Sequence, residues 1–184
     1  PNNGTYHKRI QYNATDKYCL DGQRLVSIGA AYGANGTEYR IETESYSKVI
    51  SYGAVGTTGP AYFKLWTKSG QIMEYGNTAD SAIAVTGGAT GAAAIRVWAV
   101  NKISDTKSNY LTISYVNDNA NGQYYPKRID YTGNTTTGLL PYNSVEFLYN
   151  NAPATPPATT RPDVTPAYDC GYLMQWTVRW TSVV

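Results

Sequence analysis

Few residues in this chain are of the types that do chemistry near neutral pH, and their spacing limits what they could do. Glu42-Thr43-Glu44 is an E-x-E pair. In a strand, residues two apart share a face, so both carboxylates could point into one cleft, the pattern used by some ADP-ribosylating toxins. Ser45 to Ile50 continues an ordinary strand, however, and no Ser-Thr-Ser element stands nearby to hold a nicotinamide. A solvated strand face is the better account. Asn117, Asn119 and Asn121 with Gly122 imitate the start of a calcium loop. Calcium needs a bidentate carboxylate at the twelfth position, and that position holds Arg128, while Asp118 falls between ligand positions. An Asn-rich turn fits better. His7, the one histidine, stands beside Lys8 and Arg9 and reads as a surface residue. No nucleophile elbow, P-loop or dinucleotide-binding glycine motif occurs. Cys19 and Cys170 could pair only if the fold brings their Cα atoms within about 7 Å. Two thiols and one imidazole without ligand spacing give no zinc site. No catalytic residue, metal or cofactor is expected.

The other residues with binding chemistry are aromatic. The chain holds 18 Tyr and 4 Trp. Trp66, Trp98, Tyr124 and Tyr125, with Trp176 and Trp180, could form a stacking platform for sugars. The plainer expectation is that these rings pack within or between sheets, since Tyr and Trp suit a pleated, half-buried surface.

The elements that would position these groups are strands. A chain of 184 residues with 42% hydrophobic content suits one folded domain, or one with an appendage. Its formal charge of +2 is near neutral, and Lys and Arg are scattered singly, which argues against a nucleic-acid partner. No apolar run approaches the ~20 residues of a membrane-spanning helix. The first residues have neither the basic nor the apolar segment of a signal peptide. Three N-x-[ST] triplets, at Asn13, Asn35 and Asn134, carry little weight in an Asn- and Thr-rich chain.

Residues 5–13 read as a strand, and 18–26 as a hairpin turned by Asp21-Gly22. Asn35-Gly36 joins a strand at 25–32 to a long one at 38–52. Residues 61–68 alternate cleanly, with Tyr62, Lys64, Trp66 and Lys68 on one side, and pair through Ser69-Gly70 with 71–75. The glycine- and alanine-rich 77–93 reads as a loop. Further strands follow at 94–102, 109–116, 123–131 and 144–149. Prolines at 153, 156, 157 and 162 make 151–162 an exposed loop or linker. From 175 to 181 the chain alternates again, with Trp176, Val178 and Trp180 on one face, and runs on to Val184 without a cap. A strand stopping mid-pattern leads us to expect a piece of a longer polypeptide.

Several blocks go beyond composition. Tyr18-Cys19-Leu20-Asp21-Gly22-Gln23-Arg24-Leu25, Thr37 to Glu42, Phe63 to Gly70, Glu74 to Thr78, Trp98 to Asp105, Tyr124 to Asn134 and Arg161 to Val164 resemble, in this order, the SpvB/TcaC-type N-terminal domain. That domain occurs in B components of bacterial insecticidal toxin complexes and in Rhs/YD-repeat proteins. Asp105-Thr106-Lys107-Ser108-Asn109 also resembles the D-x-x-G-N repeat element, with Ser108 in the glycine's place. The start lacks the expected Gly/Pro-rich stretch, and 151–160 looks inserted. The resemblance implies a non-catalytic structural segment of a secreted bacterial toxin-complex protein. It would be part of a β-rich shell that encloses or delivers a toxin, with the rest of its own chain and the C-type and A-type subunits as partners. It transfers no catalytic residue.

The expected fold is therefore all-β, with antiparallel hairpins and a meander forming a curled sheet or sandwich. Residues 1–150 would form the β domain, 151–162 the linker, and 163–184 a C-terminal strand segment. A carbohydrate-binding or adhesin-like module is the alternative, with Trp66, Trp98, Tyr124 and Tyr125 as its surface.

Overall fold

A computed structural model of the chain describes residues 16–43, 45–53, 59–85, 94–149, 163–169 and 171–184. Regular structure there is strand throughout. In order these are β1 (Cys19–Leu20), β2 (Gln23–Ile28), β3 (Glu38–Ile41), β4 (Lys48–Tyr52), β5 (Tyr62–Trp66), β6 (Ile72–Tyr75), β7 (Ala82–Val85), β8 (Ala94–Trp98), β9 (Val100–Ser104), β10 (Asn109–Asp118), β11 (Gln123–Asn134), β12 (Asn143–Tyr149), β13 (Ala167–Asp169), β14 (Tyr172–Met174) and β15 (Trp180–Val183). Eleven of them form one sheet in the order β1-β2-β3-β4-β5-β6-β9-β10-β11-β12-β15, antiparallel at every step. The sheet is open and curled, as expected, and is not closed into a barrel. Two small hairpins, β7-β8 and β13-β14, stand outside it.

Register explains the core. Val49 pairs with Leu65, Ser51 with Phe63, and Tyr39 with Val49, so all five side chains share one face. Leu25, Tyr39, Val49, Phe63 and Leu65 form a buried cluster there, with Tyr18, Tyr32, Tyr75 and Trp98 packed against it. Each such aliphatic or Phe side chain contributes about 1.5–3 kcal/mol on burial. Tyr39 is fully buried, and its hydroxyl accepts the Gly33 N–H at 2.8 Å, so the polar end is satisfied.

The Asp21-Gly22 turn forms as its composition predicts, with φ of 49° and 78°. Elsewhere the chain departs from the sequence pattern for local reasons. The strand expected over 38–52 is a hairpin, β3 against β4, turned over 42–47 with Tyr46 at φ 55°. The Asn35-Gly36 connection is a longer loop, because β2 already ends at Ile28 and pairs it with Glu38. Part of the expected loop at 77–93 is strand: Ile83 and Val85 are buried in β7, which pairs with β8. The strand expected over 94–102 changes partner at Ala99, whose N–H donates to Ser81 O beside the β7–β8 pairing while its carbonyl accepts the Gly76 N–H beside the β6–β9 pairing. This change sends β8 to the small hairpin and β9 to the main sheet. The expected 5–13 strand, the linker 151–162 and residues 86–93 of the expected loop lie outside the described residues.

At the far end, 175–179 does not form a ladder. It runs over the 119–123 turn: Gln175 N–H donates to Asn121 O and Thr177 N–H to Gln123 Oε1. Trp176 and Trp180 are therefore exposed while Val178 is buried, so the three do not share one environment. Gly122 is required at this crossing. Its φ is 62°, and a Cβ there would collide with the Leu173 carbonyl.

The 105–109 turn is tied across the sheet. Asp105 Oδ1 accepts the N–H groups of Lys107 and Asn109, and Asn109 Nδ2 donates to Asp105 Oδ2 at 2.8 Å. Asn134 Nδ2 then donates to Asn109 Oδ1 and to Lys107 O. Ser108 occupies the glycine place of the repeat-like element and takes the conformation a glycine would, at φ 67°.

Candidate functional site

The four aromatic residues singled out in the sequence stand in separate surroundings. Trp66 lies three residues beyond buried Phe63, and so projects from the opposite face of β5. It is half-buried, with Lys48 Nζ 4.8 Å from its ring centroid. Trp98 packs on the core face, with ring centroids 5.1 Å from Phe63 and 5.4 Å from Tyr18, and donates its indole N–H to Pro60 O at 3.1 Å. Tyr125 is buried beside Tyr149 at 4.4 Å. Tyr124, its neighbour on β11, projects the other way, toward Tyr115 and the Arg96 guanidinium.

What the sheet does bring together is an outward face of rings and charges. Cross-strand pairing aligns Glu38, Ile50, Lys64, Glu74 and Lys102 in one row and Lys48, Trp66, Ile72 and Ser104 in the next. Tyr52 and Tyr62 stack at 4.9 Å, and Lys102 Nζ lies 4.7 Å from the Tyr110 ring. Lys64 bridges to Glu74 at 3.1 Å. Burial opposes ionisation of Glu74, but hydrogen bonds from Asn77 and Lys64 and the charges of Lys64 and Lys102 outweigh it and hold its carboxyl below the usual range. The alternation of 61–68 signalled this face; the cross-strand partners required the register.

Several carboxylates are engaged structurally. Asp130 and Glu146 converge on Arg128, at 2.7 and 3.0 Å, and the guanidinium donates a charge-assisted hydrogen bond to each. Asp118 Oδ2 accepts from Asn121 Nδ2 and Gln123 Nε2, which makes the Asn-rich segment a side-chain-bonded turn. Glu42 is exposed at the end of β3. Glu44, His7 and Cys170 lie outside the described residues; Cys19 is exposed on β1. A small cleft between β7-β8 and the 119–122 turn is lined by Val85, Arg96, Asn119, Gly122, Tyr172 and Leu173. Arg96 donates there to Gly122 O at 2.9 Å.

Buried tyrosines on the core side are held neutral. Desolvation, with Tyr39 nearby, pushes the Tyr18 hydroxyl up to about 12. Tyr32 is raised further by burial, even though its oxygen accepts the Tyr18 N–H. Such groups hold structure and are poor proton donors or acceptors near neutral pH.

No family model matches this chain, and no curated protein matches it in sequence. Solved structures do match it. The N-terminal domain of effector protein SpvB from Salmonella typhimurium strain LT2 aligns with a TM-score of 0.69 at 20% identity, over 98% of this chain and 72% of that one. A chain of the Photorhabdus luminescens Tc holotoxin pore aligns with a TM-score of 0.67 at 18% identity, over 95% of this chain. TcdB2-TccC3 aligns with a TM-score of 0.69 at 18% identity, again over 95% of this chain. This chain spans 10% of the length of each of those two toxin chains. At these identities the likeness establishes the fold: this chain has the fold of the SpvB N-terminal domain and of a segment of the Tc toxin chains.

Proposed function

We propose that this chain is a non-catalytic structural segment of a bacterial toxin-complex-type protein, and that it forms part of a β wall that encloses or delivers a toxic cargo outside the cell. One observation carries the reading. Nearly the whole chain, and not a fragment of it, aligns with a chain of the Tc holotoxin pore and of TcdB2-TccC3, and with the N-terminal domain of the effector SpvB. The chemistry is consistent with a wall. Asp130, Glu146, Glu74 and Asp118 are committed to ion pairs or turn hydrogen bonds. Each interior strand of the large sheet pairs with a neighbour on both sides.

The test is electron cryomicroscopy of the full-length protein with its co-expressed gene neighbours, paired with limited proteolysis. The expected result is a closed β shell whose wall includes residues 16–149, with an interior segment protected from protease. A full-length protein with no enclosed volume would sink the reading. Glycan-array binding lost on Trp66→Ala would put the carbohydrate-binding module in its place.

A further inference from the structure

Arginines in this fold differ in what answers their charge. Arg40 pairs with Glu38 at 2.7 Å, and Arg128 pairs with Asp130 and Glu146. Arg96, half-buried on β8, pairs with no carboxylate among the described residues. Its Nη2 donates to Gly122 O at 2.9 Å, and its Cζ lies over the Tyr124 ring, 5.8 Å from the centroid. Its Nε–H is buried without an acceptor. Asp118, which precedes Asn119 of the cleft, is occupied by Asn121 Nδ2 and Gln123 Nε2. A half-buried guanidinium is costly to leave so, because it has shed water without gaining a counter-charge.

The same arginine lines the small cleft between β7-β8, the 119–122 turn and β14, and is the charged residue among those lining it. The cleft measures about 90 Å³, room for about three waters. A sugar ring or a nucleotide is too large for it. Buried Val85 and half-buried Leu173 supply apolar wall, with Asn119 and Ala120 at the exposed lip. The frame is fixed in advance. Gly122 O holds Arg96, and the Leu173 carbonyl packs on Gly122 so closely that a Cβ would not fit between them.

Size and charge together select the ligand. One guanidinium answers one negative charge, and its fork matches a carboxylate. A phosphate dianion would bring a second charge against apolar walls, where no other cation meets it. We infer that this cleft is a binding site for a short-chain carboxylate, with its charged end on Arg96 and its alkyl end between Val85 and Leu173. The inference stands apart from the proposed wall and survives its failure.

Saturation-transfer NMR on the full-length protein tests this, with acetate as the probe and acetamide as its neutral counterpart of equal size. The expected result is transfer to the acetate methyl group, with an apparent Kd at least about tenfold lower than that of acetamide, the factor carried by a hydrogen bond to a charged group. Arg96→Gln should weaken acetate binding by at least about the same factor. That change also loosens the hold on Gly122, so a second variant leaves Arg96 in place. Ala120→Phe closes the exposed lip and should abolish transfer to acetate at an unchanged melting temperature. Equal affinity for acetate and acetamide overturns the inference, as does acetate binding undiminished by Ala120→Phe. A full-length protein that gives acetate no transfer at all overturns it too.

Discussion

The two ends of the large sheet hold themselves together by different means. Around β2 to β6, ring meets ring: Tyr18 contacts Tyr32, Tyr39, Phe63 and Trp98, all with centroids within 6.2 Å. Around β11 to β15, the buried apolar side chains among the described residues are Tyr125, Tyr172 and Val178, while Trp176, Trp180, Tyr168 and Val184 face solvent. There the chain is fastened by polar links, chiefly Gln123, which is 2% exposed and bonds to Asp118 and Thr177. An interlocked core fails as a unit. A polar clasp can release one segment and leave the rest in place.

The largest expected effect comes from Tyr39→Ala. It should cost about 3–5 kcal/mol by urea denaturation, the range for a buried aromatic ring. A loss below about 1 kcal/mol would mean that the ring cluster is not the main source of stability. Alkali should attack the same end. The folded-state values of Tyr18 and Tyr32 lie above the ordinary 10 of an unfolded tyrosine. Their contribution is therefore complete below pH 10 and is lost as pH rises toward about 12. Absorbance of tyrosinate should rise together with loss of near-ultraviolet circular dichroism. Early, independent ionisation would show that the rings are open to water.

The clasp is tested by Gln123→Ala, expected to cost about 1–3 kcal/mol for the buried partners left unpaired. Hydrogen exchange should quicken at 172–178 while β3 to β5 stay protected. Uniform quickening would erase the distinction between the two ends. The smallest effect is a gain: Ser108→Gly should stabilise by about 1 kcal/mol, since φ 67° costs glycine little. No gain would mean that the Ser108 side chain contributes to the turn.

Strand alternation was legible wherever one face is dry and the other wet. Phe63 and Leu65 against Lys64 and Trp66 gave the β5-β6 hairpin directly, and Asp21-Gly22 gave the β1-β2 turn. The β3-β4 hairpin was hidden, because its turn at 42–47 contains none of the usual glycine pairs and depends on Tyr46 at positive φ. β7 was hidden by the small residues around it, although Ile83 is among the most buried side chains. The alternation at 175–181 is strand only from Trp180 on; over 175–179 it misled because the partner is a turn, not a strand. As for the candidate platform, residue type alone could not distinguish Trp66, which looks outward, from Trp98, which looks in. That depends on cross-strand register and on the change of partner at Ala99.

The strand order of the large sheet follows chain order, with β7-β8 and β13-β14 as the two detours. Each strand of the meander therefore finds its neighbour among residues already synthesised. The sheet can grow rung by rung as the polypeptide emerges from the ribosome, without waiting for distant sequence. That order of assembly keeps unpaired edges short-lived while later strands are still being made.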